Sequence, residues 1–202
     1  MVSKTMKPKK KIKPRPGDAL LLVDIQNDFL PGGNLAVPNG DEVIPVVNDY
    51  ITLFQQQNLP IFATRDWHPK NHSSFKPFGG IWPAHCVADT KGAEFPDTLN
   101  LSPEIVIISK ATSPELEAYS GLEGTDLDKR LKALNVNRVW VSGLATDYCV
   151  INTVMDLISS EYRVILLVDG IRAVNVNPED GRNAEREMIA LGARSLARID
   201  CL

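Results

Sequence analysis

Residues 19–25, ALLLVDI, form a nearly unbroken apolar run with a single acid, Asp24, near its end. Strands buried on both faces of a parallel sheet read this way, because helices cover the sheet from either side. Four further runs repeat the pattern at residues 60–65, 104–110 (EIVIISK), 138–143 (RVWVSG) and 163–168, and residues 195–199 add a sixth candidate strand. Helical periodicity fills the intervals. Over residues 41–57, Val43, Val47, Ile51 and Phe54 recur near a 3.6-residue period, with Pro45 in the first turn where a missing N–H is tolerated. Residues 125–134 and 148–159 read as helices, the latter with Val150, Val154 and Leu157 on one face. Residues 178–191 read as another, with Pro178 at its start and Gly192 after its end. Apolar strands alternating with amphipathic helices predict an α/β fold, a three-layer α/β/α sandwich around a parallel sheet. Ligands in such folds bind at the carboxyl ends of the strands.

The chain has 202 residues, enough for one domain with a sizeable core, and shows neither repeats nor a second domain. Hydrophobic content of 44% and charged content of 23% are those of a globular protein. A net charge of −3 gives no general affinity for nucleic acid or membrane, and no apolar run reaches the 18 residues of a membrane span. Residues 1–17 are lysine- and proline-rich without an apolar core, which predicts a solvated basic tail ahead of a single domain at 18–202. Cys86, Cys149 and Cys201 are odd in number and far apart, which suits a reducing compartment, the cytoplasm, better than a disulfide framework.

The predicted strand ends carry the chemistry. The first delivers Asp24, the second Asp66 and His68, the third Lys110, and the fourth the turn Gly143-Leu144-Ala145-Thr146-Asp147-Tyr148-Cys149. Asp24 and Lys110 also read as a helix cap and a surface ion pair; the lysine is less easily dismissed, because burying its charge unpaired is costly. Cys149 opens a helix, where the helix dipole and a lysine favour thiolate; free cysteine is also often a small buried hydrophobe. All three histidines (His68, His72, His85) fall within residues 63–86, ATRDWHPKNHSSFKPFGGIWPAHC. Asp66 and His68, two apart on an extended chain, point the same way, and His85 returns after a loop. One carboxylate and two imidazoles suit a borderline divalent metal such as zinc, with iron or manganese compatible, and positions left open for water or substrate. Cys86 adjoins His85 and is expected to point away from that group, as neighbours on an extended chain do.

LLVDIQNDFLPGG, TRDWHP, WPAHC, the lysine of ISKAT, YSGLEG and VSGLATDYCV, in this order and spacing, resemble the nicotinamidases among the isochorismatase-like cysteine hydrolases. The resemblance covers roughly residues 18–195; the basic tail has no counterpart in it. It implies a six-stranded parallel sheet in the order 3-2-1-4-5-6. It implies Cys149 as nucleophile, Asp24 as general base and Lys110 as its partner. It implies Asp66, His68 and His85 as ligands of one divalent metal, with His72 outside the set. Phe29, Trp82 and Tyr119 match the substrate-binding aromatics, Phe29 and Trp82 as the pair that sandwiches the ring. Ala145 and Cys149 match the backbone N–H donors of an oxyanion hole, and Leu144–Ala145 is expected to be a cis peptide that aims the Ala145 amide.

The implied activity is hydrolysis of nicotinamide, and of pyrazinamide, to the acid and ammonia through a cysteine thioester, in NAD salvage. Small molecules are then the partners, with neither nucleic acid nor membrane, and a homo-oligomer is compatible with the reading. Two alternatives stand beside it. Another amidohydrolase of the superfamily would act on a carbamoyl group with the same Asp, Lys and Cys but has no need of a metal. A non-catalytic metal-binding module would not need all three of those residues.

Overall fold

The computed structural model describes residues 11–201, so the first ten residues of the expected basic tail lie outside the described residues. The rest of that stretch is seated on the domain from Ile12 onward. The Ile12 N–H donates to the Asp200 carbonyl at 2.9 Å, Pro14 is buried, and the Gly17 carbonyl accepts from Asn137 at 2.9 Å.

Six strands form one sheet: β1 (Asp18–Val23), β2 (Ile61–Asp66), β3 (Val106–Lys110), β4 (Arg138–Leu144), β5 (Arg163–Arg172) and β6 (Arg194–Leu196). Their order is β3-β2-β1-β4-β5-β6 and every pairing is parallel. The crossovers carry α1 (Val43–Gln56), α2 (Leu127–Ala133), α3 (Ile151–Ser159) and α4 (Asp180–Ala190). β1 explains the layering. Its alternate residues Leu20 and Leu22 join one core cluster with Val47, Tyr50 and Phe54 of α1. Ala19, Leu21 and Val23 face a second cluster with Leu131 of α2, Val154 of α3 and Met188 of α4. Helices therefore cover both faces, and a strand apolar at nearly every position follows.

The two ends of the sheet differ. At the amino end, the buried Asp18 carboxylate accepts Arg138 Nε at 2.8 Å and Trp140 Nε1 at 3.1 Å, so its charge is paired and hydrogen-bonded. At the carboxyl end the strands stop beside one another. Register partners Val23 and Gly143 bring β1 and β4 to the same level. Gly143 has φ +128, and a Cβ there would stand 2.1 Å from the Val23 carbonyl oxygen; glycine is what lets β4 pass so close before its chain turns.

Three boundaries differ clearly from the periodicity reading. The sixth strand, expected over 195–199, is Arg194–Leu196 and gives way to a short helical turn at Arg198–Asp200. β5 runs on to Arg172, because its register on β4 shifts between Val141 and Gly143 and the extra residues are held by the Ser142 hydroxyl donating to Gly170 O at 2.6 Å. The helix expected from Tyr148 starts as a wider π-helical turn, Thr146–Val150, before α3. Among the described residues, no helix is long and apolar enough to cross a membrane.

Candidate active site

The chain leaves β1 abruptly at Asp24, whose φ of +48 turns the backbone out of the sheet. Thr64, on the neighbouring β2, receives that turn. Its carbonyl accepts the Asp24 N–H at 3.2 Å, and its hydroxyl donates to Asp24 Oδ1 at 2.6 Å. Asp24 Oδ2 is left facing Lys110 Nζ at 3.1 Å. Lys110, the last residue of β3, has its ammonium fully enclosed. Besides Asp24 it reaches Asp66 Oδ1 at 2.5 Å, the Ala118 carbonyl at 2.9 Å and Cys149 Sγ at 3.5 Å. Three strand ends thus meet the Cys149 turn at one amine.

Burial works against the Lys110 charge, but Asp24 and Asp66 together outweigh it and hold the ammonium well above the ordinary lysine range. Burial would also raise Asp66, yet Lys110 and His68 prevail and keep it below the usual carboxylate range. Asp24 goes the other way. Burial lifts it in spite of Lys110, and the Asp66 charge adds to the rise. Burial also pushes the Cys149 thiol well up, with Lys110 opposing and the two carboxylates adding. The resting cysteine is therefore a thiol, and Asp24 is the more basic of the two carboxylates beside it.

Asp66, His68 and His85 offer ligand atoms within 4.8 Å of one another, all buried. Both imidazoles of the group suit metal ligation. His85 Nδ1 bonds the Pro83 carbonyl at 2.8 Å, which fixes the N–H there and leaves Nε2 as a lone-pair donor. His68 Nε2 stands 3.7 Å from Asp66 Oδ2, and its buried Nδ1 has no hydrogen-bond partner among the described residues. Burial lowers His85, so it is neutral at pH 7, the ligating form. The group suits zinc, iron or manganese. His72 packs its ring 4.2 Å from that of His68, but both its nitrogens are engaged, with Ser74 Oγ at 2.8 Å and the Leu116 carbonyl at 3.1 Å. With His68 and Glu117 it forms a second group whose ligand atoms lie within 4.8 Å of one another. Cys86 is not on an extended chain as expected: its φ is +45. The residue still buries in the α1-side core cluster and stands outside the three-residue donor group.

A small cavity opens over these groups, lined by Asp66, His85, Cys149, Ala145 and the aromatics Phe29, Trp82 and Tyr119. Seven of the residues expected at the site thus meet at one opening, with Asp24, His68 and Lys110 buried beneath it. Trp82 is pinned by its backbone N–H to Ser74 O at 3.0 Å and by its indole N–H, which donates to the Tyr119 hydroxyl at 3.0 Å. The Leu144–Ala145 peptide is cis, as expected.

Three wall residues escaped the sequence reading, Leu35, Val37 and Val174, while Tyr148 arrives with the turn after the fourth strand, as that reading placed it. Tyr148 stands edge-on to Trp82 at 5.2 Å. Val174 is held in place by Asp147, whose carboxylate accepts the N–H groups of Val174 and Asn175 at 2.9 and 2.8 Å. Gln26 was also missed. It is fully buried, and its amide grips the Asp66 peptide from both sides, Nε2 to Asp66 O and Oε1 from Asp66 N, each at 2.8 Å. A polar residue just after a buried strand was the available signal.

Comparison with known proteins gives a consistent picture. The isochorismatase domain matches residues 18–197. The nicotinamidase of Escherichia coli (strain K12) is 38% identical over 88% of this chain and 93% of its own length. Among solved structures, the pyrazinamidase of Pyrococcus horikoshii in complex with zinc is similar with a TM-score of 0.87 and 49% identity, over 90% of this chain and 99% of that one. PnC1 from L. infantum in complex with nicotinate also superposes with a TM-score of 0.87, at 31% identity over 95% of this chain and 98% of its own.

Proposed function

The chain belongs to the isochorismatase domain family, and on that premise we propose that it is a nicotinamidase, hydrolysing nicotinamide to nicotinate and ammonia through a thioester on Cys149. It is an amidohydrolase acting on a carboxamide, like its nicotinamidase and pyrazinamidase relatives. The observation that carries the finer reading is the position of the Lys110 ammonium, 3.1 Å from Asp24 and 3.5 Å from Cys149 Sγ.

The substrate ring enters between Phe29 and Trp82, with Tyr119 steadying the indole. Asp24 takes the Cys149 thiol proton, and Lys110 stabilises the thiolate that results. The sulfur attacks the carboxamide carbon. Negative charge on the oxygen is met by the backbone N–H groups of Ala145 and Cys149, a contribution of about 3–4 kcal/mol per donor in a known hydrolase. Asp24 returns the proton to the departing nitrogen, the C–N bond breaks, and ammonia leaves a nicotinoyl thioester. Asp24 then takes a proton from water, the resulting hydroxide attacks the thioester, and nicotinate departs as the thiol is reprotonated. Asp66, His68 and His85 would hold one divalent metal, zinc by likeness to the pyrazinamidase complex, whose chemistry when bound is to give the ring nitrogen a Lewis-acid partner. In the cytoplasm such a reaction would serve NAD salvage.

Incubating the purified protein with nicotinamide and assaying ammonia and nicotinate tests the reading. Equimolar release of both supports it. Turnover of a carbamoyl substrate in preference to nicotinamide would favour the other branch of the superfamily, which the buried Asp66–His68–His85 group argues against.

A further inference from the structure

The turn after β1 sends alternate side chains to different parts of the site, and one of them, Asp28, has no place in the chemistry above. Asp28 is 5% exposed. Its Oδ2 accepts the Cys86 N–H at 2.7 Å and its Oδ1 the Asn34 N–H at 3.1 Å. Among the described residues no cation lies within ion-pair distance of it. A buried carboxylate held by two amides and no counter-charge is expensive to keep for packing alone.

The Cys86 N–H belongs to the peptide that follows His85. The other side of Cys86 is equally committed, because its carbonyl accepts the His68 N–H at 3.0 Å. The main chain of Cys86 is thus fastened at one end to Asp28 and at the other to His68, with His85 adjoining. Its left-handed φ of +45 needs such fastening, since a non-glycine residue leaves that region readily. The carboxylate itself is fenced in: a Cβ on Gly92 would come within 2.1 Å of Asp28 Oδ2.

We propose that Asp28 is a positioning residue for the metal centre, fixing the His85–Cys86 peptide so that the His85 and His68 rings keep the separation a single ion requires. The proposal rests on the assignment of Asp66, His68 and His85 as the ligands. Asp28 touches neither ion nor substrate and acts through the backbone of Cys86.

The test is zinc affinity, measured by competition with a chromogenic chelator, on the wild type, on Asp28→Asn and on Gly92→Ala. Asp28→Asn keeps the shape but replaces one acceptor by an NH₂ group. Gly92→Ala keeps the carboxylate and displaces it. Groups that orient metal ligands at one remove typically contribute about 10–100-fold in affinity. Both variants are expected to fall in that range, and Asp28→Asn at saturating zinc is expected to recover most of its kcat. Wild-type affinity in both variants would overturn the proposal. So would failure of both to fold, or a fall in kcat that zinc does not restore with affinity unchanged, since each assigns Asp28 a general structural role. A wild-type protein that binds no stoichiometric zinc would instead overturn the ligand assignment itself.

Discussion

The Lys110 ammonium stands 3.5 Å from the Cys149 sulfur, so the cation that steadies the two buried carboxylates is also placed to steady a thiolate. Stability and catalysis meet in this one side chain, and two substitutions separate them. Lys110→Met leaves the fully buried Asp24 without its cation and is expected to cost about 3–5 kcal/mol of stability as well as activity. Asp24→Asn leaves Lys110 paired with Asp66 at 2.5 Å. It is expected to lower kcat on the order of 10²–10⁴-fold with a smaller loss of stability. Urea unfolding and ammonia release on both variants check this. Near wild-type turnover by Asp24→Asn would remove it from the role of base.

The pH dependence follows from the same cluster. Asp24 must be ionised in the free enzyme to accept the thiol proton, and burial raises it above the ordinary aspartate range. Activity is therefore present above that raised value and lost as pH falls through it. The acid limb of kcat/KM for nicotinamide is expected above the usual carboxylate range, reporting Asp24 within its buried cluster with Lys110 and Asp66. A pH–rate profile whose acid limb sits at an ordinary aspartate value would contradict the assignment.

Much of this arrangement was legible in the sequence, for physical reasons that differ by residue. β1 was readable because both of its faces are buried, which makes every position but one apolar. Lys110 was readable as a charge at the end of such a strand, where a bland explanation is costly, whereas the role of Asp24 came from the resemblance. The sheet order came from the resemblance, since spacing alone does not fix which loop approaches which; the donor group Asp66, His68 and His85 was raised by spacing and proposed as a ligand set by the resemblance. The roles of Gln26, Asp28 and Asp147 were not readable, because each acts on backbone amides of a distant segment, and a backbone partner leaves no trace in side-chain identity. The seating of Ile12 and Pro14 was hidden by the lysines and prolines around them.

Tyr119 holds Trp82 by accepting its indole N–H. Tyr119→Phe removes that acceptor and leaves the ring in place. A single hydrogen bond is worth about 1 kcal/mol net, so KM for nicotinamide is expected to rise about fivefold with kcat little changed. Steady-state kinetics would show it. A fall in kcat with KM unaltered would mean that Tyr119 acts on the reacting atoms instead.

The donor group separates two neighbours in the chain. His85→Ala is expected to lose stoichiometric metal, whereas Cys86→Ser is expected to keep it, because Cys86 stands outside the donor group. Elemental analysis of the two purified variants decides. Chelator treatment of the wild type is expected to reduce nicotinamide turnover and readdition of zinc to restore it. Loss of metal from Cys86→Ser with retention in His85→Ala would reverse the assignment.

The account's central claim is that Cys149 is the nucleophile. Ammonia release from nicotinamide by Cys149→Ala, with circular dichroism and metal content matched to the wild type, tests it most directly. The substitution exchanges one small buried residue for another and removes only the sulfur facing Lys110 and lining the cavity. The account predicts no release above the uncatalysed background. Release near the wild-type rate would contradict it.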